Sequence, residues 1–178
     1  ELGRERLEFA ELKTLVEGSS SDVKVAIVDA CESGALTQVK GAKASVGVDF
    51  LLPTEESARG TAWIASTAVG EVAQESASIG GSFFSIHLDA ALRGAGDANG
   101  DGQVSLGEAF QYTSAHTVIG TSATDVGPQH PTYDFKMSGR GDVVLADLRR
   151  AEARLELPDT KGATWIVWQE RRLIAELE

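Results

Sequence analysis

The 178-residue chain holds one cysteine, one methionine, two tyrosines and four prolines. A single thiol cannot close an intramolecular disulfide, so packing must hold the core; a reducing compartment suits such a chain, and cytoplasm is the expected location. Bases are scarce as well: 16 Lys and Arg stand against 27 Asp and Glu, a formal net charge of −11. A surface of that sign repels phosphate backbones, which disfavours nucleic acid as a direct partner and favours cationic peptides or metal ions. No apolar run approaches the ~20 residues of a membrane-spanning helix, so no membrane is expected as a partner either. The chain opens on Glu1 rather than Met, shows no secretory leader, and closes on what reads as an unfinished strand, the pattern of a fragment or a processed chain. With 42% hydrophobic residues there is enough material for one real core, or one domain plus part of another.

What is present alternates between strand and helix signals. "LEFAELKTLV" (7–16) carries apolar residues close to a helical stripe, and Gly18 with three serines ends it. "VKVAIV" (23–28) is a β-branched run bounded by turn residues, read as a buried, parallel strand. Residues 32–59 read as loop, and "GTAWIAST" (60–67) as the next core strand. "GGSFFSIHLDAALRG" (80–94) reads as a helix with Gly94 as its C-cap, followed by a second helix over 105–119. Strand candidates follow at 133–138 and 142–148, a charged helical turn near 149–155, and a hairpin pattern over 163–177. Strands alternating with helices predict an α/β three-layer sandwich over 1–150, with 151–178 as the start of a small β-rich module.

The cysteine stands just beyond an apolar strand, in "VAIVDACESGALTQ" (25–38). In α/β sheets reactive groups gather outside the carboxyl ends of strands, and a thiol there becomes a nucleophile once a base makes it a thiolate. The stretch "DACESG" resembles the nucleophile segment of the caspase–metacaspase clan of cysteine peptidases. It keeps Asp29, Ala30, Cys31, Ser33 and Gly34, with Glu32 where His is common. "GGSFFSIHLDAALRG" is similar to the helix that follows the substrate-binding loop in caspases, and "ASTAVGEVAQES" (65–76) occupies the place of that loop. Together with "DANGDGQVSLGEA" and "PQHPTYDFKMSGRGDVVL", the pattern resembles bacterial caspase-like peptidases over roughly residues 5–150.

The resemblance implies a caspase-like sandwich with a mostly parallel central sheet and Cys31 as nucleophile. It implies that Asp29 lines the S1 pocket and selects a basic P1 residue; the alternative for Asp29 is a turn cap. Glu71, Gln74 and Glu75 would belong to the substrate loop, whose backbone pairs with the bound strand, and Ser66 to the pocket wall. The clan's catalytic histidine precedes the cysteine, whereas His87, His116 and His130 all follow it here. The base is therefore expected on an upstream segment, a partner of this chain along with the polypeptide substrate. With a basic P1 preference, Lys40-Gly41, Lys43-Ala44 and Arg59-Gly60 in the following linker become candidate self-cleavage points; an ordinary solvated loop is the alternative. A catalytically inactive caspase-fold module that binds calcium or a protein is the alternative, kept open by Glu32 and the missing histidine.

"DANGDGQVSLGE" (97–108) fits an EF-hand loop position by position. Asp97, Asn99 and Asp101 fall at positions 1, 3 and 5, Gly102 at 6, the Gln103 carbonyl at 7, Ser105 at 9 and Glu108 at 12. Oxygen ligands at that spacing wrap a hard cation, so Ca2+ is the expected cofactor, a solvated turn the alternative.

Overall fold

The computed structural model describes residues 8–31, 33–37, 58–77, 79–139, 141–150, 165–169 and 172–177. Expectations resting on Glu32, on Lys40 and Lys43, and on 151–164 fall outside them. In chain order the elements are α1 (Phe9–Glu17), β1 (Val23–Val28), a 3-10 turn (Ser33–Leu36), β2 (Arg59–Ala65), β3 (Glu75–Ser76), β4 (Gly81–Ser82) and α2 (Phe83–Ala90). A π-helical turn (Ala91–Ala95), β5 (Gln103–Ser105), α3 (Leu106–Thr121), β6 (Thr132–Ser138), β7 (Val144–Asp147), a 3-10 turn (Leu148–Arg150), β8 (Trp165–Gln169) and β9 (Arg172–Leu177) complete it. The chain is thus a mixed α/β protein.

The main sheet has the order β1-β2-β6 among the described residues. β1 and β2 pair in parallel, Val28 opposite Ala65, while β2 and β6 pair antiparallel, Ala65 opposite Thr132. The described sheet is therefore mixed rather than mostly parallel, and its connection explains why. One crossover helix returns the chain to the end where a strand began, which forces a parallel neighbour. Here two helices intervene between β2 and β6. α2 runs back along the sheet and α3 comes forward again, so β6 starts where β2 stopped and must run the other way.

The core forms where those helices meet one face of the sheet. Ala62 and Ile64 of β2 pack with Phe84 of α2 and Leu106 of α3, and Val25, Leu88, Phe110, Tyr133, Phe135 and Met137 close around them. Phe110 stands edge-on to Tyr133 at 4.7 Å between ring centroids. Trp63, which the pleat turns to the opposite face, is only 1% exposed, so both faces of β2 are covered. A second cluster, Ala91, Val104 and Ala109, joins the π-helical turn to β5 and α3. β5 pairs antiparallel with β7, and the backbone of β9 lies alongside α2. No described helix is long and apolar enough to cross a membrane.

Candidate functional site at the carboxyl edge of the sheet

Because Val28 and Ala65 are register partners in a parallel pair, residues 29–31 and 66–67 leave the sheet at one edge. The Ser33 N–H donates to the Ala30 carbonyl at 3.1 Å, closing a turn whose second residue is Cys31, and the thiol is exposed. The two residues kept after the cysteine have a mechanical reason to be Ser and Gly. The Ser33 hydroxyl is buried within 3.4 Å of the Ser66 hydroxyl and 3.3 Å of that of Thr67. A Cβ on Gly34 would meet the Thr67 carbonyl oxygen at 2.5 Å and the Val69 nitrogen at 2.6 Å, so only glycine lets the two backbones touch. Thr37, bonded hydroxyl to hydroxyl with Thr132 at 2.7 Å, fixes the end of this segment to β6. The turn bearing the thiol is thereby clamped to β2 and β6.

Asp29 is exposed beside it, and its Oδ2 accepts a hydrogen bond from the Ser85 hydroxyl at 2.6 Å. Ser85 stands in the first turn of α2, whose N-cap Ser82 accepts from the Ser85 N–H. Of the other expected pocket residues, Ser66 is fully buried and meets Ser33 rather than solvent. Gln74 is also buried, and its amide works inside the protein: Nε2 donates to the Gly127 carbonyl at 2.8 Å and Oε1 accepts from Thr124 at 2.7 Å. Its N–H donates to Gln129 Oε1, and Gln129 in turn donates to the Ser66 carbonyl, both at 2.8 Å. These glutamines pin the loop after β2 to the loop before β6. Glu75 is exposed and paired through its backbone with Ser82.

Glu71 belongs to the same clamp. Its Oε1 lies 2.7 Å from His130 Nδ1, and its Oε2 accepts the His130 N–H at 2.8 Å and the Ala68 N–H at 3.3 Å. Partial burial works to raise the Glu71 carboxyl, but the bonds from His130 and Ala68 and the His130 charge outweigh it and hold it below its ordinary value. No sequence signal links these partners, because each is a common loop residue on a separate connection. Pro128 and Pro131 around Gln129 and His130 mark only that the loop is stiff.

The other histidines serve the helix pair. His87 is buried on α2, its ring 5.5 Å from that of His116, which stacks on Tyr112 at 4.0 Å. Burial, then repulsion from His116, lowers His87 to about 4, so it is neutral at pH 7.

The acidic loop sits at the far end of these helices. α2 begins at Asp29 and α3 ends beside Gln129, where Thr121 accepts the Gln129 N–H at 2.8 Å. The 97–105 connection therefore lies at the opposite end of the helix pair from the cysteine edge, beyond α2 and the π-helical turn that kinks at Gly94 (φ +122°). The fold does not bring the two sites together. The loop is wound by its own hydrogen bonds. Asp97 accepts the N–H groups of Gly100, Asp101 and Gly102; Asn99 accepts that of Asp101, and Asp101 that of Gln103. Gly102 has φ +79°, which an L side chain resists. Val104 and its neighbours pair antiparallel with β7. Glu108 faces the helix start: its Oε2 accepts from Ser105 N–H and hydroxyl at 3.0 and 2.9 Å in a capping box. Among the described residues no three acidic, His or Cys side chains converge as a metal cluster. The donors fit a hard cation in kind; Glu108 must turn toward the loop to complete the set.

No protein-family model matches the chain, and neither a curated protein nor a solved structure matches it.

Proposed function

We propose that this chain carries the nucleophile and the specificity acid of a caspase-like cysteine endopeptidase that cleaves polypeptides after Arg or Lys. The observation that carries the reading is an exposed thiol on a clamped turn at the carboxyl edge of a parallel strand, two residues past an exposed acid. Edges of this kind are where α/β sheets bind and react with ligands. The three-layer caspase-like arrangement belongs to the same proposal, supported by helices on one face of β2 and a buried Trp63 on the other.

In this reading the Cys31 sulfur, as thiolate, attacks the scissile carbonyl, and the Cys31 backbone N–H donates to the oxyanion. The leaving amine takes a proton from a histidine on an upstream segment. Water then cleaves the thioester, returning the acid product and the thiol. The substrate strand is proposed to pair with the backbone of the loop that carries Glu71, Gln74 and Glu75. Asp29 presents a carboxylate to the basic P1 side chain. Calcium is proposed to bind Asp97, Asn99, Asp101, Gln103, Ser105 and Glu108, tightening the junction of α2 and α3 rather than touching substrate.

The test exposes the full-length protein, in calcium and in chelator, to peptide chloromethylketones bearing P1 Arg or P1 Asp, and locates adducts by mass spectrometry. The expected result is an adduct on Cys31 from the Arg probe alone, lost in Cys31→Ala and faster with calcium. Labelling by the Asp probe overturns the pocket. No labelling of a folded protein overturns the enzyme and leaves the inactive module.

A further inference from the structure

Asp29 and Ser85 are 56 residues apart in sequence, yet their side chains meet at 2.6 Å. A hydroxyl that donates to a carboxylate makes a stronger bond than one between neutral groups. The two ends are anchored independently. Asp29 follows a strand held by β2 and a turn clamped through Ser33 and Gly34. Ser85 rides between Phe84 and Ile86, which are 0% and 5% exposed, so its Cα is fixed by the core on either side. An exposed aspartate two bonds from its backbone would otherwise turn freely about χ1 and χ2. The bond restricts that freedom and favours one angle of the carboxylate plane. Oδ2 retains acceptor capacity beyond the one bond it makes, and no described residue bonds to Oδ1.

What a fixed plane changes depends on the guest. A guanidinium is a rigid fork that docks with two parallel bonds only when the carboxylate lies in its plane, whereas an ammonium is a point charge served equally by any rotamer. We infer that Ser85 is a positioning residue that orients the Asp29 carboxylate for bidentate capture of a guanidinium, so that the site prefers Arg over Lys at P1. The inference rests on the reading of Asp29 as the specificity acid, and it goes beyond that reading in naming which base is taken and which residue decides it.

The experiment measures kcat and KM of the full-length protein on paired peptides that differ only in P1 Arg or P1 Lys. Wild type, Ser85→Ala and Ser85→Thr are compared. The wild type is expected to favour Arg. Ser85→Ala is expected to lower kcat/KM for the Arg peptide about five- to tenfold, mainly through KM, and to leave the Lys peptide within about twofold. Ser85→Thr, which keeps the hydroxyl, is expected to restore the preference. An equal loss on both peptides marks Ser85 as structural only and overturns the inference, as does an unchanged Arg preference in Ser85→Ala. Those outcomes leave the peptidase standing. Absence of Cys31-dependent cleavage of either peptide by wild type, or cleavage unaffected by Asp29→Ala, overturns the functional reading itself and this inference with it.

Discussion

His87 shows how far one side chain can set the molecule's response to acid. Its pKa falls from 6.5 to about 4 because burial, then the nearby His116, disfavour its charged form. The unfolded chain therefore binds a proton between pH 6.5 and about 4 that the folded chain refuses, and stability must fall as pH falls through that window. The difference corresponds to about 3 kcal/mol, fully present above pH 6.5 and lost by about pH 4. Urea midpoints measured from pH 7.5 to 4 should drop in the native protein, and His87→Leu should flatten that part of the curve. The same steepness in the variant would place the acid sensitivity elsewhere. Glu71 acts in the same direction at lower pH: its depressed carboxyl keeps the 68–74 loop tied to His130 above its unfolded pKa and releases it as pH falls through the folded value.

Among the elements, legibility follows the kind of signal each one leaves. β1 was readable as a β-branched run between turn residues, and the observed strand spans the same six residues, Val23–Val28. The start of α3 was readable from Ser105 and Glu108, but its buried face was not. Leu106 and Ala109 lead into Thr113, Thr117 and Thr121, all buried, while Ile119 is 68% exposed. Small hydroxyl residues fill that close interface, so apolar periodicity has almost nothing to report. The cysteine edge was legible because a strand end is a local feature. The clamps were not, since Asp29–Ser85 and Glu71–His130 join hydrophilic residues 56 and 59 positions apart, a pairing no local spacing encodes. The acidic loop lies between these cases: its spacing was readable, and the structure adds that it is wound by its own bonds. Asp97 alone accepts three backbone N–H groups, from Gly100, Asp101 and Gly102, at 2.9, 3.2 and 2.9 Å. Asp97→Ala should therefore lower stability by about 2 kcal/mol in urea titrations even in chelator, with no cation involved. A loss seen only in calcium would mean that the ion, not the carboxylate bonds, orders the turn.

Taken whole, the molecule carries 27 acids against 16 bases; Asp29 stands two residues before the exposed Cys31, and Glu71 and Glu75 lie on the loop after β2. A field of one sign around a site raises the encounter rate of an opposite guest and is cut down by salt. At about 0.01 M ionic strength the screening length is about 30 Å, reaching most of the surface, whereas at 0.15 M it is about 8 Å and leaves only the nearest charges in play. The proposed basic-specific site should thus draw on the net −11 at low salt and on Asp29 alone at high salt. The second-order rate of Cys31 labelling by a P1 Arg probe should fall about three- to fivefold between those conditions. Iodoacetamide, which is neutral, should label at nearly the same rate in both. The contrast separates steering from any effect of salt on the fold, because a loosened turn would change both rates together. Equal, flat rates would mean that the acidic balance keeps the protein dispersed and takes no part in the proposed selection of a basic guest.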